Sequence, residues 1–208
     1  GTNLQNQPER ARPMFIAPQG YGFVYFDPSQ AEARYVAEAW QVKGLLENFK
    51  LALTDPDKYD VHRLNAARIF GKPYDDIPKE DYLDGKHTLR YVGKRCVHGL
   101  NYRMAPDKLA SVTGLSISEA THAHRLYHSA FPEIGRAWQD LVSRVKRDKI
   151  LYNAFGRRWI LLSRLDSDEA LDSIVAFEPQ STIGDKVCKV IYQAHEDAEW
   201  PRSRRGLE

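Results

Sequence analysis

A helical pattern runs from Lys43 to about Lys149, and short apolar-aromatic segments of strand character lie on both sides of it. The order is strand pair, large helical block, hairpin, helix. It suggests α+β architecture, with a small antiparallel sheet at both ends of the chain enclosing a helical insertion. Residues 13–27, PMFIAPQGYGFVYFD, are expected to form two strands around a turn at Pro18-Gln19-Gly20. Pro28 is then placed to start a helix through residues 29–40. Inside the block, Asp60 is positioned to cap residues 61–70, which stop at Gly71 with Pro73 beyond. Ser116 and Glu119 have capping-box spacing for a helix running towards Phe131, and Pro132 opens another through Trp138 to Lys146. Residues 150–162, ILYNAFGRRWILL, predict a hairpin turning near Gly156. Asp166 and Glu169 are expected to cap a further helix, and residues 180–200 a long final one.

A chain of 208 residues holds one domain, or a compact subdomain with part of another. Its hydrophobic fraction of 42% is enough for a core, and no apolar run approaches the length of a membrane span. The opening residues carry no apolar stretch of a secretory leader. Cys96 and Cys188 have no CxxC partner, so both are expected as buried packing residues in a reducing cytosol. A formal net charge of +2 does not announce a nucleic-acid binder, but the distribution is uneven. Residues 144–164 hold seven basic side chains against one Asp, interleaved with aromatics, and Arg202, Arg204 and Arg205 form a second cluster. Such stripes suit a phosphate backbone or a solvated charged face equally well.

Two constellations carry chemistry. In residues 26–34, FDPSQAEAR, Asp27 ends an apolar strand beside a helix start. A carboxylate there either caps the helix or holds a divalent cation, with the carbonyl of Pro28 as a second oxygen ligand. In residues 89–104, LRYVGKRCVHGLNYRM, Arg90, Lys94, His98 and Tyr102 recur every four residues. Each such step drifts about 40° around a helix, so the row stays on one stripe. Two cations, an imidazole and a phenol in a row could grip a triphosphate and stack on its base. Gly93 and Gly99 each cost about 1 kcal/mol in a helix interior. Their presence suggests the close approach of something bulky.

With these residues in view, the chain resembles the family A (polymerase I type) DNA polymerases. FDPSQAEAR is similar to the family's motif A, and the Arg-Lys-His-Gly-Tyr series to motif B on its mobile fingers helix. TNLQNQP, DVHRLNAARIFG, NAFGRR and FEPQSTIGD resemble further family segments in the same order. His98, where many members carry Phe or Tyr, makes the chain look closer to phage polymerases than to bacterial repair enzymes.

The resemblance implies palm at residues 1–40, fingers at 41–149, and a palm return with hairpin and late helix at 150–208. It implies DNA polymerisation, transfer of a dNTP onto a primer 3′-hydroxyl in the presence of two Mg²⁺ ions. Asp27, with Pro28, would hold the metals. Glu32 would reject a 2′-hydroxyl. Arg90 and Lys94 would hold the β- and γ-phosphates, with Lys94 also protonating the leaving group. His62 would lie near the phosphates, His98 would stack near the incoming nucleoside, and Tyr102 would line the templating pocket. Asn6, Arg10, Arg157, Arg158 and Gln180 would touch primer–template DNA. The expected location is cytoplasmic, that of the host if the chain is phage-encoded.

The family's second metal-binding Asp stands in a His-Asp hairpin beyond the late helix. Residues 193–197, QAHED, offer Glu196 at that place within what reads as one continuing helix. The motif is therefore expected to be missing, the chain to polymerise poorly alone, and a C-terminal fragment carrying that Asp to be a partner. Exonuclease and thumb domains are not visible, as expected of a chain that starts after them. Asp172 and Ala176 stand where the family often has Arg and Asn, and residues 72–88 form a longer segment than in bacterial relatives.

His122, His124 and His128 lack a completing carboxylate or cysteine and read as a polar helix face. Tyr25, Tyr35, Trp40 and Trp138 read as packing residues. Two rivals share parts of the pattern: a single-subunit RNA polymerase, against which Glu32 argues, and a non-catalytic primer–template binding module.

Overall fold

A computed structural model describes residues 8–22, 28–161 and 167–196. They divide into two compact units, one of residues 1–29 with 187–208 and one of residues 30–186. The architecture is α+β, mostly helical with small antiparallel sheets.

In the first unit, Glu9–Met14 forms a 3-10 helix and residues 15–18 form no regular element. This corrects the expected first strand. Pro13 fixes its φ and removes a donor that a strand ladder would use. The turn is as expected, with Tyr21 N donating to Pro18 O at 2.9 Å and Gly20 at φ 82°, a conformation that glycine adopts without strain. The second expected strand lies, from residue 23 onward, outside the described residues.

The second unit begins with α1 (Ala31–Ala39), α2 (Lys43–Thr54) and α3 (Val61–Phe70). Pro28 does not open α1. The N-cap is Gln30, at φ 54° and without a side-chain cap bond. α3 starts where Asp60 accepts from His62 N and Arg63 N, and stops at Gly71 in the left-handed conformation. The buried Arg63 clamps the following loop, donating to Ile77 O at 2.7 Å and Tyr74 O at 3.0 Å.

The helical block is interrupted by a hairpin that periodicity does not reveal, β1 (Tyr82–Leu83) paired with β2 (Lys86–His87). Its turn places Asp84 and Gly85 at φ 49° and 78°. Asp-Gly is the sequence signal for a turn with two positive φ angles. Then follow α4 (Leu89–Leu100), α5 (Pro106–Thr113), α6 (Ile117–Ala130) and α7 (Pro132–Asp148). The capping box of Ser116 and Glu119 and the opening of α7 by Pro132 both stand as expected.

Val36, Leu45, Val92, Cys96, Leu100, Leu109, Tyr127, Phe131 and Ile134 anchor the main core. At its centre Asn101 ties α6 and α7 to the end of α4. Its side chain accepts from Tyr127 Oη at 2.5 Å and its carbonyl from Trp138 Nε1 at 3.0 Å. Cys96 is buried, but Cys188 is exposed, correcting the expectation of two packing cysteines. Cys188 lies past the last buried residue of its helix, Thr182.

β3 (Ile150–Tyr152) and β4 (Arg158–Ile160) form the expected hairpin, with Tyr152 opposite Arg158 and Gly156 at φ 80°. They lie over a second core of Leu141, Val145, Leu151, Leu161 and Ile174. The two helices expected after this hairpin are one, α8 (Asp168–Glu196), with Pro179 inside it. A proline in a helix interior costs about 3 kcal/mol. Here Val175, Pro179 and Thr182 continue one buried stripe at helical spacing, and their burial outweighs that cost. Among the described residues no helix is long and apolar enough to cross a membrane.

Candidate active site

The site is assembled on α1, α3 and α4 of the second unit. Glycine 93 allows it. A Cβ there would lie 2.8 Å from Ala66 Cβ and 2.9 Å from Ala66 Cα, so α4 rests directly on the α3 backbone. At Gly99 an added Cβ would collide with the Met104 side chain. What the two glycines admit is the protein's own chain.

Arg90 projects from the first turn of α4 into a carboxylate pair. Its Nε and Nη2 donate to Asp60 Oδ2 at 2.9 and 2.7 Å, and its Nη1 pairs with Asp81 Oδ1. Lys94 Nζ, one turn further along, lies 3.7 Å from Asp81 Oδ2. Burial pushes the Asp60 carboxyl up, but hydrogen bonds from Arg90 and the Arg63 amide outweigh it, and the net shift is downward. Burial disfavours the Arg90 charge, but Asp60 and then Asp81 reverse this and hold the guanidinium charged.

His62 sits on α3 beside the same network. Burial lowers its pKa to about 4, with Asp60 opposing and Arg90, Lys94 and His98 assisting. Its Nδ1 is buried without a hydrogen-bond partner, and its Nε2 lies 3.5 Å from Gln30 Nε2. The His98 ring is 6.4 Å from that of His62, and burial followed by the Lys94 charge lowers its pKa as well. Tyr102, just past α4, donates to Glu32 Oε2 of α1 at 3.0 Å. Burial and the Glu32 carboxylate together push the Tyr102 phenol far above its ordinary value.

Thus Glu32, His62, Arg90, Lys94 and His98 lie on adjoining faces of three helices, and Tyr102 joins Glu32 from the turn beyond α4, so the expected stripe is helical only as far as His98. Tyr102 also borders an open cavity of about 440 Å³ lined by Trp159, Asp172, Phe177 and Gln180. Arg103 pairs with one of the lining residues, donating to Asp172 at 3.0 Å, and also donates to Asp168 at 3.2 Å. The aspartate standing where the family often has arginine therefore has its own cation.

The remaining expected site residues are spread more widely. Arg158 and Gln180 are exposed, whereas Arg157 is paired with Asp185 beside the hairpin turn. The hydrogen bond from Arg157, then one from Asn153, lowers the Asp185 pKa. Arg10 and Pro28 are exposed in the first unit, and Asn6 and Asp27 lie outside the described residues.

Among the described residues no cluster of His, Cys, Asp or Glu is arranged to hold a metal, and His122, His124 and His128 build none. Sequence reasoning missed the part played by Asp60 beyond its cap, the carboxylate of Asp81, and the Arg103–Asp172 pair. The Asp-Gly turn could have revealed the hairpin that Asp81 precedes. No sequence signal announces the two ion pairs, because their partners lie 30 and 69 residues apart.

The described residues thus form a helical domain with small antiparallel sheets, in which a cationic ladder on one helix faces its neighbour. The profile of DNA polymerase family A matches residues 2–178. The chain belongs to DNA polymerase family A. It is 32% identical over 165 residues to DNA polymerase I of Pseudomonas aeruginosa, covering 76% of this chain and 16% of that protein. It is 28% identical over 193 residues to the DNA polymerase of Mycobacterium phage D29, covering 93% of this chain and 28% of that protein. Among solved structures, the POL domain of Pol1 from M. smegmatis, in complex with DNA primer-template and dNTP, is similar at a TM-score of 0.68. That match has 26% sequence identity and covers 89% of this chain and 32% of the other. The chain thus spans between about a sixth and a third of the length of these relatives.

Proposed function

We propose that this chain is the palm-and-fingers part of a template-directed DNA polymerase that transfers a dNTP onto a primer 3′-hydroxyl. Palm would comprise residues 1–40 and 150–208, and fingers residues 41–149. The observation that carries this reading is the meeting of Arg90, Lys94, His62 and His98 on facing turns of α3 and α4, with Tyr102 bonded to Glu32 of α1. Membership of the family supports it, and the similar M. smegmatis domain, captured with DNA primer-template and dNTP, supports those partners.

In this reading Arg90 and Lys94 bind the β- and γ-phosphates, and Lys94 gives its Nζ proton to the departing pyrophosphate oxygen. His62 stays neutral at pH 7 and can face the phosphates as a hydrogen-bond partner without adding charge. His98 lies against the nucleoside. Glu32, held by the Tyr102 hydroxyl, fills the space a ribose 2′-hydroxyl would need. Tyr102 lines the templating pocket, and Arg10, Arg157, Arg158, Gln180 and Asn6 contact the duplex. A carboxylate with an adjacent carbonyl suits Mg²⁺, so Asp27 and Pro28 would hold it, and the ions would neutralise charge on the attacking and leaving oxygens. The second carboxylate would come from another polypeptide segment, so the chain alone would extend primers poorly. The enzyme would work in the cytoplasm, alongside the DNA.

The test is pre-steady-state primer extension by the completed polymerase carrying Lys94→Ala. The chemical step should fall on the order of a hundredfold, while the affinity for primer–template stays within about twofold. Equal loss of both, or no loss of either, would remove Lys94 from its assigned role.

A further inference from the structure

The carboxylate of Asp81 occupies the space between the two cations assigned to the triphosphate. Arg90 presents two edges. One, Nε and Nη2, is fixed on Asp60 at 2.9 and 2.7 Å, and Asp60 is itself pinned as the α3 N-cap by the amides of His62 and Arg63. The other edge, Nη1, faces Asp81 Oδ1, while Asp81 Oδ2 lies 3.7 Å from Lys94 Nζ. An anion bridging Arg90 and Lys94 is what a phosphate group would be, and Asp81 is that anion here.

Its placement is built into the local fold. Thr88, the N-cap of α4, donates its backbone N–H to Asp81 O at 3.1 Å and its hydroxyl to Glu80 O at 2.6 Å. Residues 80 and 81 are thereby fastened across the base of the β1–β2 hairpin to the helix that carries Arg90 and Lys94. The side chain is partly open to solvent, at 37% exposure, so it can rotate away while its backbone stays bonded. Asp60 cannot leave without uncapping α3.

We propose that Asp81 is a resident phosphate surrogate: it keeps Arg90 and Lys94 aligned in the empty site and must be displaced by the incoming triphosphate, so it sets nucleotide affinity. This rests on the assignment of Arg90 and Lys94 as the phosphate grip and adds to it a positioning residue. Displacement means that part of the binding free energy goes into breaking the Asp81 contacts, and the apparent affinity is lower by the fraction of molecules in which the slot is open. In return Lys94 Nζ and the second edge of Arg90 are kept facing one anion, while Asp60 holds the first edge of Arg90.

Calorimetric titration of the full chain with sodium tripolyphosphate, and separately with dATP, tests this. Asp81→Asn should tighten both by roughly fivefold, and Asp81→Glu, which restores the charge, should return affinity to near that of the parent. Asp84→Asn, an equal charge change at the exposed hairpin turn, should leave it within about twofold. Should Asp81→Asn fold poorly by circular dichroism, Asp81→Ser makes the same test. If Arg90→Ala and Lys94→Ala abolish binding but neither Asp81 variant tightens it, or Asp84→Asn tightens it equally, the surrogate idea is wrong and the phosphate grip stands. If removing Arg90 and Lys94 changes nothing, the grip itself is wrong and the inference falls with it.

Discussion

Two helical glycines give the same substitution opposite signs. In α4, a methyl group at position 93 would sit 2.8 Å from Ala66 Cβ, 2.9 Å from its Cα and 3.1 Å from its backbone N. Carbon atoms in good contact stand about 3.5–4.0 Å apart. The missing distance cannot come from a side-chain rotation, because two of the three neighbours are backbone, so α3 and α4 must separate. Overpacking costs about 1–3 kcal/mol, and contacts under 3.0 Å against backbone belong to the upper part of that range, about 2–3 kcal/mol. Helix propensity returns about 1 kcal/mol for Gly to Ala. Gly93→Ala should therefore lose about 1–2 kcal/mol on balance, or roughly 2–8 °C in Tm for a chain of this size. In α7, a Cβ at position 135 meets nothing within 4 Å. Only the propensity gain remains there, and Gly135→Ala should stabilise by about 0.5–1 kcal/mol. Urea unfolding of both variants at pH 7, with unchanged m-values, measures the difference. A Gly93→Ala variant as stable as its parent would mean that α4 does not rest on Ala66, and the spacing of Arg90 and Lys94 from α3 would lose its explanation.

Two further outcomes follow from the same structure. Because burial lowers the His62 pKa to about 4, below its unfolded value, the folded form binds fewer protons. Stability is full above about pH 6.5, declines as pH falls from there towards about 4, and should be roughly 2 kcal/mol lower at pH 5 than at pH 7 on this account. His128, lowered to about 4 by burial and His124, adds to the trend. His62→Gln should flatten the urea midpoint against pH, and an unchanged slope would show that His62 is not buried as described. Asn153→Ala should destabilise by about 2 kcal/mol, because the buried Asn153 accepts from Phe155 N and Arg157 N and donates to Asp185 at 2.7 Å. Amide exchange at Phe155 and Arg157 should quicken with it, and protection as in the parent would contradict the role of Asn153 in the turn.

Much of the fold could be read along the chain wherever a single residue's chemistry settles the matter. Asp60, Gly71, Ser116 with Glu119, Pro132 and Gly156 each act within a few residues of themselves, and each stands where the sequence places it. The reading failed where distant packing decides. The sequence predicts one helix after Asp166 and a separate one over residues 180–200, yet α8 runs through Pro179 because the buried face of Val175 and Thr182 continues on both sides. At residues 13–17 the cause is local: the apolar-aromatic run suggests a strand, but it includes Pro13, and the segment makes a 3-10 helix and an irregular stretch.

The candidate site divides the same way. Periodicity alone puts Arg90, Lys94 and His98 on one stripe, since a fixed turn per residue turns spacing into direction. Periodicity does not say what the stripe faces. That His62 lies beside His98, that Tyr102 reaches Glu32 across 70 residues, and that Asp60 and Asp81 already hold Arg90 follow from how α1, α3 and α4 pack. Sequence determines local geometry because caps, turns and helical periods act over one or two turns of chain. Only the tertiary structure decides which charges meet, because those distances are set by the packing of whole helices and, at Gly93, by the absence of a single methyl group.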